Sequence, residues 1–207
     1  GLIGAGRSEL ARAVFGVDPR EGDVWLNGQL LVPDSVPSAL SQGLCLVPEN
    51  RKEEGLILDF SIAENSALPS LDRLSRHGHV DRAAETELAE AGRQRLDIRA
   101  VGLEQAVAEL SGGNQQKVVL AKWLALGPRV LILDEPTRGI DVGAKAEIYA
   151  LMRDLAATGV AILMISSDME EVLALSDRVA VMARGRISGH LQDAAITEEN
   201  IMQLAVG

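Results

Sequence analysis

Three stretches of this 207-residue sequence hold residue types at spacings that suit phosphate chemistry. Near the start, Gly1, Gly4, Gly6, Arg7 and Ser8 fill the pattern G-x-x-x-x-G-[K]-[ST], with Arg7 where lysine is expected. Glycines let successive backbone N–H groups curl around an anion, and a helix beginning near Arg7 points its positive end at the same place. Ala5 and Glu9 share that loop and first turn, and the Ser8 hydroxyl is suited to ligate Mg²⁺. Further on, "VLILDE" is an apolar run ending in Asp134 and Glu135. Four apolar residues in a row imply burial on both faces, which places the two carboxylates at the carboxyl edge of a sheet, where open parallel sheets bind ligands. Asp134 is expected to hold Mg²⁺ through its water shell and Glu135 to polarise an attacking water. The third stretch, "LSGGNQQKV", runs from Leu110 to Val118. Ser111 can cap a helix there, and Gly112 and Gly113 leave its first N–H groups open, a second anion site.

The surrounding sequence supplies elements to position these groups. Arg7 to Phe15 reads as a helix stopped by Gly16, and Asn27-Gly28 between β-prone residues signals a hairpin. A short helix around residues 35–42 leads into the strand "LCLVP". From Glu49 to Leu110 the composition shifts towards Ala, Glu and Arg, and "DRAAETELAEAGRQRL" reads as an amphipathic helix with Ala84, Leu88, Ala91 and Leu96 near one face. After Ser111 the order is helix, strand "RVLILD", helix from Gly143, strand "VAILMIS", helix from Asp168, strand "RVAVMA", a hairpin over Arg184-Gly185 and a terminal helix. Strands separated by helices call for a parallel sheet covered on both faces.

Composition excludes several classes. Twenty Lys plus Arg against 30 Asp plus Glu give a net charge of −10, which argues against a surface that tracks nucleic acid. Aromatics at 2% leave few rings for stacking on bases or sugars. The one cysteine, Cys45, excludes an internal disulfide and reads as a small buried hydrophobe between Leu44 and Leu46. His77, His79 and His190 lack metal-ligand spacing, Glu170-Glu171 reads as a solvated helix face, and the apolar run at 159–165 is too short to span a bilayer.

Taken together, "GLIGAGRS", "LSGGNQQKV" and "VLILDEPTRGID" resemble the Walker A loop, the signature, and the Walker B strand with its D-loop of ATP-binding cassette ATPase domains. With "PENRKEEGL" and "SSDMEEVLALSDRVAVM" included, the chain resembles more narrowly the second cassette of the tandem-cassette proteins that energise bacterial importers of ribose, arabinose, galactose and xylose. The resemblance implies an α/β P-loop NTPase fold, a RecA-like and mostly parallel sheet over residues 1–49 and 128–207, with an α-helical signature subdomain over 50–127. It implies ATP and Mg²⁺ as cofactors, with Gly1, Gly4, Ala5, Gly6, Arg7, Ser8, Glu9 and Asp134 on nucleotide, Ser8 and Asp134 on the metal, and Glu135 catalytic. It also implies that Leu110, Ser111, Gly112, Gly113, Asn114 and Gln115 form the signature and that Asp141 speaks across a cassette interface, beyond capping its own helix.

Three departures fall on groups that handle nucleotide: Arg7 for lysine, Glu49 at the Q-loop glutamine position, and Ser167 at the switch-histidine position. Arginine is bulkier and planar, a carboxylate repels triphosphate unless Mg²⁺ intervenes, and serine cannot contact the γ-phosphate as imidazole does. The chain's own Walker side is therefore expected to be weak or non-hydrolysing, while its intact signature completes the site of a partner, either the first cassette of the same tandem protein or a second cassette. Membrane permease subunits, and indirectly a sugar-binding protein, are the further partners implied, with no nucleic acid, at the cytoplasmic face of the bacterial cell membrane. A non-hydrolysing interaction module, or a soluble cassette ATPase acting on DNA or ribosomes, stands as the alternative. Family cassettes carry a strand before the glycine loop, so the sequence reads as an N-terminally truncated fragment, expected to bind ATP poorly and to associate when made alone.

Overall fold

A computed structural model describes residues 4–206, so Gly1 lies outside the described residues. Helix α1 (Arg7–Phe15) starts on Gly6 and stops on Gly16, both left-handed, as a loop turning sharply into and out of a helix requires. Strands β1 (Trp25–Leu26) and β2 (Gln29–Leu30) pair across Asn27 and Gly28, both at positive φ, the hairpin expected from that dipeptide. Helix α2 (Val36–Ser41) is capped by Ser35 and leads into β3 (Leu44–Val47).

A π-helical turn (Arg51–Gly55) comes next, then α3 (Ile62–Ala67) behind a capping box of Ser61 and Glu64, and α4 (Leu71–Leu74). The small hairpin β4 (Ser75–Arg76) and β5 (His79–Val80) precedes α5 (Arg82–Arg95) and α6 (Gly112–Leu124). The remainder alternates: β6 (Val130–Asp134), α7 (Val142–Ala157), β7 (Ala161–Ile165), α8 (Met169–Leu175), β8 (Arg178–Ala183), β9 (Arg186–Gln192) and α9 (Glu198–Val206).

Strands β3, β6 and β7 form a parallel sheet with β6 in the middle. Alternate side chains point to opposite faces of a strand. Leu44, Leu46 and Ile132 accordingly join Ala11 and Phe15 of α1 on one side, while Cys45, Val47, Leu131 and Leu133 join α6 and α7 on the other. The run "VLILD" is apolar throughout because β6 is buried on both faces. The second of these clusters continues through Val118 to Leu124 into Leu56, Ile62, Leu96, Ile98 and Val107, so one core ties the sheet to the helical stretch.

Three expectations are corrected. Coverage on both faces holds for β3 and β6 but not for β7, where Leu163 is 50% exposed. Strand β8 pairs antiparallel with β9, and the described residues place it in that separate two-stranded sheet, packed by Val181 on Ile201 and Ala205 of α9. Helix α5 buries Glu85 and Ala89 and exposes Ala91; the buried Glu85 carboxylate is paired with Arg82, and Gly92 lets the helix approach Ala121 of α6. Among the described residues no helix is long and apolar enough to cross a membrane.

Candidate functional site

Because β3, β6 and β7 run parallel, the residues just past their carboxyl ends gather at one edge of the sheet: Glu49 after β3, Glu135 after β6, Ser166 and Ser167 after β7. The glycine loop arrives at the same edge. Gly4 and Gly6 sit at φ 78 and 89, conformations that glycine tolerates and residues with a Cβ avoid. The Ala5 carbonyl accepts from the N–H of Gly185 at 3.1 Å, so the β8–β9 turn braces the loop from behind.

Arg7 spans the gap at the sheet edge. Its Nη1 donates to the Ser166 carbonyl at 2.5 Å and its Nη2 lies 3.3 Å from Oε1 of Glu135. Ser167 donates from Oγ to Oε2 of the same carboxylate at 3.0 Å. Glu135 reaches both partners from a left-handed backbone, φ 47, with its N–H fixed to the Ile165 carbonyl at 2.8 Å. A non-glycine residue there stores on the order of 1 kcal/mol or more of strain, and such outliers cluster where a side chain must be aimed.

Behind this trio, Asp134 is 3% exposed and its Oδ1 is buried without a hydrogen-bond partner. Burial raises its pKa, and the neighbouring Ser8 hydroxyl and Arg7 charge offset part of that rise. An orphaned carboxylate oxygen beside a hydroxyl fits a hydrated Mg²⁺ held between Ser8 and Asp134. Glu9, in the first turn of α1, is exposed and adds negative charge facing Asp134.

The Leu110–Gln115 segment forms a separate cluster. Ser111 caps α6, its Oγ accepting from the N–H of Asn114 at 3.4 Å and from Nδ2 of Asn114 at 3.0 Å. Leu110 and Gln115 are buried, Gln115 donating to the Val107 carbonyl at 3.0 Å, whereas Ser111 is exposed. Asp141 caps α7 beside it, accepting from the Ala144 N–H at 2.9 Å, and Ser111, Asn114, Lys117, Asp141 and Glu147 line one shallow cavity. The glycines are needed for close packing as well as open N–H groups. A Cβ on Gly113 would lie 2.6 Å from Cβ of Ala144, and one on Gly112 would lie 2.7 Å from Nη2 of Arg51.

The structure thus brings Arg7, Glu135 and Ser167 together in one place and Ser111 and Asp141 in another. No hydrogen bond or ion pair among the described residues joins the two groups directly. Glu49 sits with neither trio nor tip; its carboxylate pairs with Arg138 in the loop between them.

Glu171 corrects the reading of a solvated acidic pair. Glu170 is exposed, but Glu171 is 1% exposed and accepts from Thr137 Oγ1 at 3.1 Å and from the Ser166 hydroxyl. It therefore joins the segment after β6 to the segment after β7. Nothing local in the sequence marks it, since its partners lie 34 and 5 residues away. Arg51 likewise gains its role only from the fold, although it lies within the "PENRKEEGL" string.

A family model described as ABC transporter matches residues 1–138. Ribose import ATP-binding proteins RbsA of Lactococcus lactis subsp. cremoris and Bacillus subtilis are each 51% identical over the whole chain, and RbsA 1 of Streptomyces coelicolor is 52% identical. The chain spans 41–42% of the length of these relatives. Among solved structures, the ADP conformation of MJ1267, an ATP-binding cassette of an ABC transporter, aligns with 100% of the chain and 85% of its own at a TM-score of 0.78 and 20% identity. The dimeric post-hydrolysis state of the cassette MJ0796 bound to ADP and Pi aligns with 91% of the chain and 81% of its own at 0.76 and 20%. These two show the fold, a P-loop NTPase sheet with flanking helices.

Proposed function

This chain belongs to the ABC transporter family, and from that premise we propose that it is the ATP-binding cassette of a monosaccharide importer. In this reading it docks at the cytoplasmic face of the membrane on permease subunits that a sugar-binding protein feeds. Residues 1–49 and 128–207 act as the RecA-like core and 50–127 as the helical subdomain. The relatives' name points to ribose or a sugar of that kind.

Two nucleotide-facing surfaces then have different tasks. On the chain's own Walker side, the glycine loop and the start of α1 offer N–H groups to phosphate, and Ser8 and Asp134 hold Mg²⁺. Bound Mg²⁺ screens the charge of the phosphates. Arg7 does not stand free as a compact ammonium would: its guanidinium is shared between Glu135 and the Ser166 carbonyl. Glu135 is correspondingly held by Arg7 and Ser167 instead of being left to a water. Such a side binds nucleotide as a brace and turns it over slowly or not at all.

The other surface is the start of α6. Ser111 caps the helix and is exposed, which is the observation that carries the proposal. The N-terminal N–H groups and positive dipole end of α6 are presented outward to the nucleotide held by a partner cassette, with Asp141 alongside.

The test uses the importer assembled with its partner cassette and permease. Glu135→Gln is expected to leave sugar transport nearly unchanged, and Ser111→Arg to abolish it. The opposite pattern, with transport lost in Glu135→Gln and kept in Ser111→Arg, would make this chain's own Walker side the working site.

A further inference from the structure

Arg51 leaves the π-helical turn and lays its guanidinium across two successive carbonyls of the loop after β6. Its Nη1 donates to the Arg138 carbonyl at 2.8 Å and its Nη2 to that of Gly139 at 3.3 Å. Nη2 occupies the space that Gly112 leaves open at the start of α6, since a Cβ there would lie 2.7 Å from it. The Nε is buried without a partner, and burial draws the guanidinium pKa down. Two residues earlier, Glu49 pairs with the Arg138 side chain. Residues 49–51 therefore grip residues 138–139 twice, once by side chain and once by main chain.

The loop so gripped carries Asp141 at its far end and Thr137 at its near end, where Thr137 donates to the buried Glu171. Bonded to Glu171 at its near end and to Arg51 in its middle, the loop can shift against the π-helical turn only by breaking the Arg51 contacts.

We propose that Arg51 is a positioning residue that locks the 138–141 loop onto the start of α6, so that Ser111 and Asp141 meet the partner cassette as one surface. The inference rests on the function proposed above. Arg51 makes no hydrogen bond to Arg7, Ser8, Asp134 or Glu135 among the described residues, so it acts through the loop and not on nucleotide. Arginine suits the task because its planar fork addresses two acceptors at fixed spacing, whereas a lysine ammonium is a single point on a flexible stem.

The experiment compares wild type, Arg51→Ala, Arg51→Gln and Arg51→Lys in the assembled importer, measuring kcat and KM for ATP, the nucleotide affinity of this cassette and thermal unfolding. Small misplacements of a site-forming group can cost up to about 10²-fold in rate, so Arg51→Ala is expected to lower kcat about tenfold or more. Nucleotide affinity of this cassette should change less than about threefold, since Arg51 touches none of its ligands. Arg51→Lys, whose Nζ reaches about as far as the arginine Cζ and can donate to one of the two carbonyls, should recover part of the rate, and Arg51→Gln, whose amide stops at the position of Nε, should recover less. A double-mutant cycle with Gly112→Ala supplies an independent readout. The added methyl should cost activity when Arg51 is present and less in Arg51→Ala, where only the Gly139 carbonyl, 3.2 Å from that methyl, still crowds it, a coupling confined to groups in contact.

Wild-type turnover in Arg51→Ala, or a loss of kcat no larger than the loss of folded protein, would overturn the inference while leaving the proposed function standing. Absence of ATP turnover in the wild-type assembly would instead overturn the proposed function.

Discussion

Glu171 is the residue whose setting departs most from what its neighbours in sequence suggest. Its carboxylate lies against the Thr137 and Ser166 hydroxyls, with Asp168 and Glu135 adding negative charge, Lys145 positive charge and Tyr149 a phenol nearby. Burial, the largest cause, pushes its pKa above the ordinary 4.5. Below the ordinary value the carboxyl is protonated in both folded and unfolded chains, and its contribution to stability is fully present. As pH rises, the unfolded chain releases its proton first, so that contribution is lost progressively through the folded pKa. Glu171→Gln has no charge to bury, so in urea melts it should gain stability relative to wild type as pH climbs above the ordinary 4.5. Glu171→Ala leaves two buried hydroxyls without their acceptor and should cost about 2 kcal/mol. A flat difference between wild type and Glu171→Gln as pH climbs would contradict the burial account. The glycine loop and the carboxylates past β6, which meet at one edge of the sheet, were legible in sequence because glycine spacing and an apolar run ending in carboxylates are local patterns. Glu171 and Arg51 were not, since their roles come from partners that only the fold brings near.

At the scale of elements, the same division holds. Helix ends and turns are decided within a few residues, which is why Gly16 stops α1, Asn27-Gly28 turns the first hairpin and Ser111 caps α6 where expected. The buried face of α5 and the open face of β7 depend on what packs against them, and periodicity alone misplaced both. Removing the α6 cap with Ser111→Ala should cost about 1 kcal/mol in unfolding experiments. Gly113→Ala should cost more, about 1–3 kcal/mol, because its methyl would meet Ala144 and force α6 from α7. If Gly113→Ala unfolds like wild type, the close approach of these helices is wrong. Further along α6, Lys122 donates to the Gly55 carbonyl and lies 5.1 Å from the Trp123 ring, and burial lowers its pKa to about 8. A depressed lysine pKa makes the folded state shed the proton first. Stability should therefore rise as pH climbs from about 8 towards the ordinary 10.5. That rise should vanish in Lys122→Met, as chemical denaturation at several pH values would show.

In the molecule as a whole, one core carries two surfaces of unequal character. One apolar cluster runs from β3 and β6 through α6 to the helical stretch, so the glycine-loop side and the Ser111 tip are fixed to a common frame. Val142, 84% exposed next to Asp141, adds an apolar spot on the side of the tip, where a partner's surface would shield it from water. The fold class was legible from the alternation of strands and helices, and so was the hairpin over Arg184-Gly185 that joins β8 to β9; that this hairpin stands apart from the parallel sheet was not, because which sheet a strand joins is decided by neighbours distant in sequence and leaves no local mark. The most direct test uses the cysteine content. Cys45 is buried, with its thiol pushed up to about 12, so a Ser111→Cys chain offers maleimide a single reactive thiol. Labelling of that thiol should slow sharply when the partner cassette and Mg-ATP are both present and remain fast with either one alone. A labelling rate unchanged by partner and nucleotide together would show that the start of α6 does not cover a nucleotide on the partner cassette.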